Sequence, residues 1–167
     1  MTRRIFTALL PLAAAFAAGC SSPHYTYRYV PGKTATMQGG SAVAPEDAPP
    51  VVHAAIAAGN RIAGLPYRFG GGRCNGVDAG YDCSGASSYV LREAGLLGDW
   101  MTSRGFRDYG RSGEGEWISV WARKGHVFLT VAGLRFDTGW HGAEEGPRWT
   151  MKSRPAPGYV IRHPGGL

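Results

Sequence analysis

The chain has 167 residues, with 18 Lys and Arg against 12 Asp and Glu, for a formal net charge of +6. The basic residues are scattered rather than clustered, which argues against nucleic-acid binding; a mild positive charge suits an anionic polymer. The three cysteines, Cys20, Cys74 and Cys83, form no CxxC pair and no Cys/His spacing suited to zinc, so neither metal nor cofactor is expected.

The chain opens with "MTRRIFTALLPLAAAFAAGC". Two arginines, an apolar run from Ile5 to Ala18 and small residues before Cys20 have the layout of a secretory signal. The run is about 14 residues, short of the ~20 that a membrane-spanning helix needs. Its ending, "AAGC", resembles a bacterial lipobox, in which the cysteine is lipidated and becomes the first residue of the mature chain. That resemblance implies a lipoprotein-type signal peptide over 1–20, lipidation of Cys20 and anchoring in the cell envelope. With Ser21 rather than an aspartate next, it implies the periplasmic face of the outer membrane. Two or more acyl chains hold a protein stably on a membrane.

Residues 21–50 are rich in Pro, Gly, Ser and Ala and hold no lasting periodicity, which reads as a flexible tether. Tyr25, Tyr27 and Tyr29 alternate within it, as a short edge strand would. The folded domain is expected over 51–167. "VVHAAIAAGNRIAG" places apolar residues on one face of a helix ending near Gly64. The glycine-rich "LPYRFGGGRCNGVDAGYD" reads as a surface loop. In "CSGASSYVLREAGLL", Cys83, Ala86, Val90, Ala94 and Leu97 recur at helical spacing, with Asp82 as N-cap and Gly95 at the stop. "WISVWA", "HVFLTVA", "LRFDT" and "GYVIRH" then read as strands, with a turn at Ala132-Gly133. Helices first and strands after predict an α+β fold with an antiparallel sheet.

Cys83 is the residue on which function turns. A thiol with a pKa of ~8.5 is mostly protonated at neutral pH, but the first turn of a helix favours an anion through its unpaired N–H groups and its dipole. Ser84 and Gly85 are small enough to let a substrate approach, and nearby main-chain N–H groups suit an oxyanion. In an oxidising compartment the alternative is a Cys74–Cys83 disulfide. A nucleophilic cysteine needs a base. Among His53, His126, His141 and His163, only His126 opens a strong strand after a glycine. If Ala132-Gly133 form a two-residue turn, Asp137 becomes its diagonal neighbour and the group that orients it. A three-residue loop would bring Thr138 there instead.

The ordered set "GLPYRFGGG", "YDCSG" and "GHVFLTVAG" resembles the NlpC-type cell-wall peptidase family, papain-like cysteine hydrolases that cut peptidoglycan stem peptides. The resemblance spans about Ile62 to Asp137. It implies a papain-like fold, with N-terminal helices packed on an antiparallel sheet. It further implies Cys83 as nucleophile, His126 as base, Asp137 or Thr138 as the third member, and Tyr67 with Ser84 lining the substrate site. Peptidoglycan is then the partner, and the reaction is hydrolysis of its peptide or amide bonds. The family's usual Pro-Gly-Asp-Leu-Val-Phe strand is missing. Trp117, Trp121, Trp140 and Trp149 line a groove or fill the core. The competing class is a non-catalytic cell-wall-binding or structural lipoprotein stapled by Cys74–Cys83.

Overall fold

The computed structural model describes residues 22–139 and 145–167. The leader, Cys20, Trp140 and His141 lie outside them. The architecture is α+β, with two helices early in the domain packed on a six-stranded antiparallel sheet.

Helix α1 (Pro50–Ile62) starts with a proline in its first turn, where the missing N–H costs nothing. Val52, Ala55, Ile56, Gly59 and Ile62 are its buried stripe. A side chain at Gly59 would run into the Trp149 ring, so glycine lets α1 seat against the far edge of the sheet. Helix α2 (Cys83–Glu93) is buried along Ser84–Leu91 because α1 covers one side and the sheet the other. Its serines and alanine keep that crowded helix narrow, and Gly95 follows the C-cap at φ 73°.

The main sheet contains β4 (Arg111–Ser112), β5 (Ile118–Arg123), β6 (His126–Val131), β7 (Leu134–Asp137), β8 (Arg148–Thr150) and β10 (Val160–His163), in the order β4-β10-β5-β6-β7-β8. The two-residue turn at Ala132-Gly133 has φ of 44° and 72°, the left-handed pair that matches strand twist. Val131 therefore faces Leu134, and Leu129 faces Phe136. Alternation sends Val127, Leu129 and Val131 into the core beneath the helices. Phe128 goes to the opposite face, where it joins Tyr25, Trp121, Ala156 and Tyr159.

The expected tether is not one over the described residues. Strand β1 (His24–Tyr25) pairs with β9 (Arg154–Pro155), and Tyr25 is buried against Trp121 and Phe128. The Tyr25 hydroxyl donates to Gly133 O at 2.9 Å and accepts from Arg135 N at 3.2 Å. Ala35 N donates to Ala132 O at 2.8 Å. The hairpin β2–β3 (Thr36–Gln38, Ser41–Val43) is fastened to α1 by Asn60, which exchanges two 2.9 Å hydrogen bonds with the Ala42 backbone. Composition misleads here because a few long-range contacts, not a periodic apolar face, hold the segment. The domain thus begins well before residue 51.

Candidate active site

Cys83 is the first residue of α2, and the capping group beside it is saturated. Asp82 Oδ1 accepts from Gly85 N and Ser84 Oγ, both at 2.7 Å, and Oδ2 accepts from Gly70 N at 2.9 Å. Its negative charge is thereby directed into the cap and the glycine loop rather than at the neighbouring sulfur. The loop reaches that close only because it is glycine: Gly70 and Gly72 hold φ of 75° and 82°, and a Cβ on Gly85 would overlap the Gly71 carbonyl. A parallel bridge between Tyr67 and Tyr81 completes the loop's attachment. Burial raises the Tyr67 hydroxyl pKa, and the nearby Cys83 and Asp82 push it further in the same direction.

His126 hydrogen-bonds with Asp137 and stands near enough to Cys83 for both to favour charge on its imidazole. The Nε2–Asp137 Oδ1 distance is 2.8 Å, which leaves Nδ1 for the sulfur. Burial opposes charge on this imidazole, but the hydrogen bonds and negative charges of Asp137 and Cys83 outweigh it, and the pKa rises to about 8. The contact follows from the turn. With two residues between β6 and β7, Asp137 lies diagonal to His126, as that register predicts. Thr138 contributes only its backbone N–H, which donates to the same Asp137 Oδ1 at 2.8 Å.

Cys74 is exposed, and both it and Cys83 are free thiols. The disulfide of the alternative reading is therefore not formed. Ser84 lines the cleft but donates its hydroxyl proton to Asp82, so it serves the cap. Of the other histidines, His53 is exposed on α1 and His163 bonds to Gly113 O at the opposite edge of the sheet. Trp121 and Trp149 are core residues, and Trp117 is half-buried against the main core.

Sequence reasoning missed the groups behind Asp137. Arg154 Nη1 stands 2.5 Å from Asp137 Oδ2, and Arg135 Nε 3.4 Å from the same oxygen, all within buried surroundings. Arg154 also donates to the Tyr159 hydroxyl at 3.2 Å, and the Tyr159 ring stands edge-on to His126. Strand alternation in "LRFD" does put Arg135 on the face of Asp137; no local signal marks Arg154. Arg73 and Trp100 carry no local signal either. With Tyr67, Cys83, Ser84 and Thr102 they line a cleft of ≈ 230 Å³, which Gly125, next to His126, helps to close.

No family model matches the chain, and no curated protein matches it in sequence. A solved structure of a mutated form of the resuscitation promoting factor interacting protein RipA is similar at 21% identity and a TM-score of 0.43. The alignment covers 67% of this chain and 61% of that one, so the chain spans less than two thirds of that structure's length. A likeness so distant carries no inference about activity. What the site does rests on its own geometry.

Proposed function

We propose that the protein is a cysteine hydrolase that cuts peptide or amide bonds of peptidoglycan stem peptides. The observation that carries this is the 2.8 Å hydrogen bond between His126 and Asp137, with Cys83, at a helix start, near enough to favour charge on the same imidazole. His126, with its pKa at about 8, takes the Cys83 proton and holds it as imidazolium at neutral pH. The sulfur attacks the carbonyl carbon, and the oxyanion forms beside the N–H groups of Cys83 and Ser84, which the Asp82 cap does not take. His126 passes its proton to the leaving amine as the C–N bond breaks. Water, deprotonated by His126, then attacks the thioester, releasing the acid and restoring the thiol.

Peptidoglycan enters as substrate through the motif resemblance of the Gly-rich loop, Asp-Cys-Ser-Gly and Gly-His-Val. The leader supports export, and lipidation of Cys20 would anchor the chain in the cell envelope, on the periplasmic face of the outer membrane. Because β1 begins at His24, only a few residues separate Cys20 from the folded domain. At roughly 3.5 Å per residue, a domain anchored in that way works within about 14 Å of the lipid surface.

The test is incubation of purified peptidoglycan with wild type and Cys83→Ala, with the released fragments identified by mass spectrometry. Wild type releases peptides and the variant none; equal release by both would overturn the reading.

A further inference from the structure

A single hydrogen bond fixes one atom of an imidazole and leaves the plane of the ring free to turn. Asp137 Oδ1 holds His126 Nε2 at 2.8 Å, so a second contact is needed to aim Nδ1 at the sulfur. Tyr159 makes that contact. Its ring stands at 75° to the imidazole with 6.4 Å between centroids, the edge-on arrangement of an aromatic pair. Its hydroxyl accepts from Arg154 Nη2 at 3.2 Å, while Arg154 Nη1 holds Asp137 Oδ2. Imidazole, carboxylate, guanidinium and phenol therefore close into a circuit, and Tyr159 touches both ends of it.

The tyrosine is itself fixed. Ala156-Pro157-Gly158-Tyr159 has the Pro-Gly order of a type II turn: Tyr159 N donates to Ala156 O at 3.2 Å, and Gly158 sits at φ 74°. Ala156 N donates in turn to Pro23 O at 2.9 Å, which pins the turn to the N-terminal segment. The Tyr159 ring is buried, with Phe128 packed on it at 5.5 Å between centroids. The Arg123 guanidinium lies 5.1 Å from its centre, and Arg123 is the register partner of His126 across β5 and β6. The stack is thus anchored on the strand pair that presents the imidazole. Tyr159 is not part of the cleft wall, so its effect on the reaction runs through His126.

We propose that Tyr159 is a positioning residue for the thiol chemistry: its ring holds the plane of the His126 imidazole, and its hydroxyl steadies the Arg154 that orients Asp137. This role rests on the hydrolase reading above. It makes the ring the larger contributor, because Asp137 still holds Arg154 when the hydroxyl is gone, whereas nothing replaces the ring against the imidazole.

Tyr159→Leu and Tyr159→Phe in the full chain test this by two readouts. The first is cleavage of stem peptides. Tyr159→Leu lowers kcat about tenfold or more with KM unchanged, the mark of a misaimed base, and Tyr159→Phe stays within about threefold of wild type. The second is the nuclear magnetic resonance signal of the His126 Nε2 proton, which needs no turnover. It is sharp in wild type and Tyr159→Phe and is lost to solvent exchange in Tyr159→Leu. Trp121→Leu is the control, since it opens the same buried cluster; it leaves both kcat and the resonance in place. The amide spectrum reports folding, and Tyr159→Met takes the place of the Leu variant if that one unfolds. An unchanged kcat and resonance in Tyr159→Leu overturn the proposal and leave the hydrolase reading standing. So does a Tyr159→Phe as impaired as Tyr159→Leu, a rise in KM alone, or an equal loss in Trp121→Leu. If wild type cleaves nothing, the hydrolase reading falls, and the resonance still decides whether Tyr159 holds the imidazole.

Discussion

Arg154 Nη1 lies 2.5 Å from Asp137 Oδ2, and Asp137 Oδ1 lies 2.8 Å from His126 Nε2, so one buried carboxylate joins an arginine to the imidazole. The arginine fixes the carboxylate's orientation. It also offsets part of the negative charge that His126 would otherwise feel. Arg135 adds to this from 3.4 Å.

Replacing Arg154 by Gln should therefore raise the His126 pKa rather than lower it, because Asp137 then acts on the imidazolium without that offset. The alkaline limb of kcat/KM is expected to move above its wild-type position of about 8, and Arg154→Lys to leave it near there. A pH–rate profile on cleaved peptidoglycan peptides reads this. A downward shift in Arg154→Gln would contradict the arrangement.

Asp137→Asn removes the charge that favours the imidazolium and leaves burial, which opposes it. Activity at pH 7 is expected to fall by about 10²-fold or more, with His126 titrating well below its present value. The same change withdraws a carboxylate from two buried arginines, for which a loss of about 3–5 kcal/mol is expected in urea unfolding. Thr138→Val, which keeps the backbone N–H, should leave the pH profile in place.

Stability should depend on pH through His126. Its folded pKa of about 8 stands above the ordinary 6.5, so the protonated form is favoured by folding. The contribution is fully present below pH 6.5 and is lost as pH rises through about 8. With the side chain only 15% exposed, the shift corresponds to about 2 kcal/mol. Denaturation curves from pH 6 to 9 should show this decline in wild type and not in His126→Asn.

Tyr25→Ala tests whether residues before 51 belong to the domain. The ring is buried against Trp121 and Phe128, so its loss should cost about 3–5 kcal/mol. Tyr25→Phe, losing only the bonds to Gly133 and Arg135, should cost about 1 kcal/mol. A true tether would show no change in either variant.

The site was legible in the sequence where chemistry is written within a few residues. Asp82 before a helical pattern caps Cys83, and the observed cap is the one that pattern predicts. "GHVFLTVAG" gives a strand opened by His126, and the Ala132-Gly133 turn decides that Asp137, not Thr138, meets it. Other parts were hidden because their partners are distant in the chain. Tyr25 finds Gly133, Arg154 finds Asp137, and Trp100 receives Arg73, and no periodicity marks any of them. The free state of Cys74 and Cys83 belongs to the same group: spacing allowed a bridge, and the fold leaves both thiols apart from one.

By itself, then, the sequence determined the helix start that exposes a thiol, the strand that presents an imidazole and the register that puts a carboxylate behind it. These follow from capping, alternation and turn geometry, which act over one to a dozen residues. Only the tertiary structure decided that the helix start meets the strand start, that the N-terminal segment is part of the core and that arginines flank the site on both sides. Those outcomes depend on close packing between elements, where glycines permit approach and single buried side chains fix it, and such complementarity has no local signature.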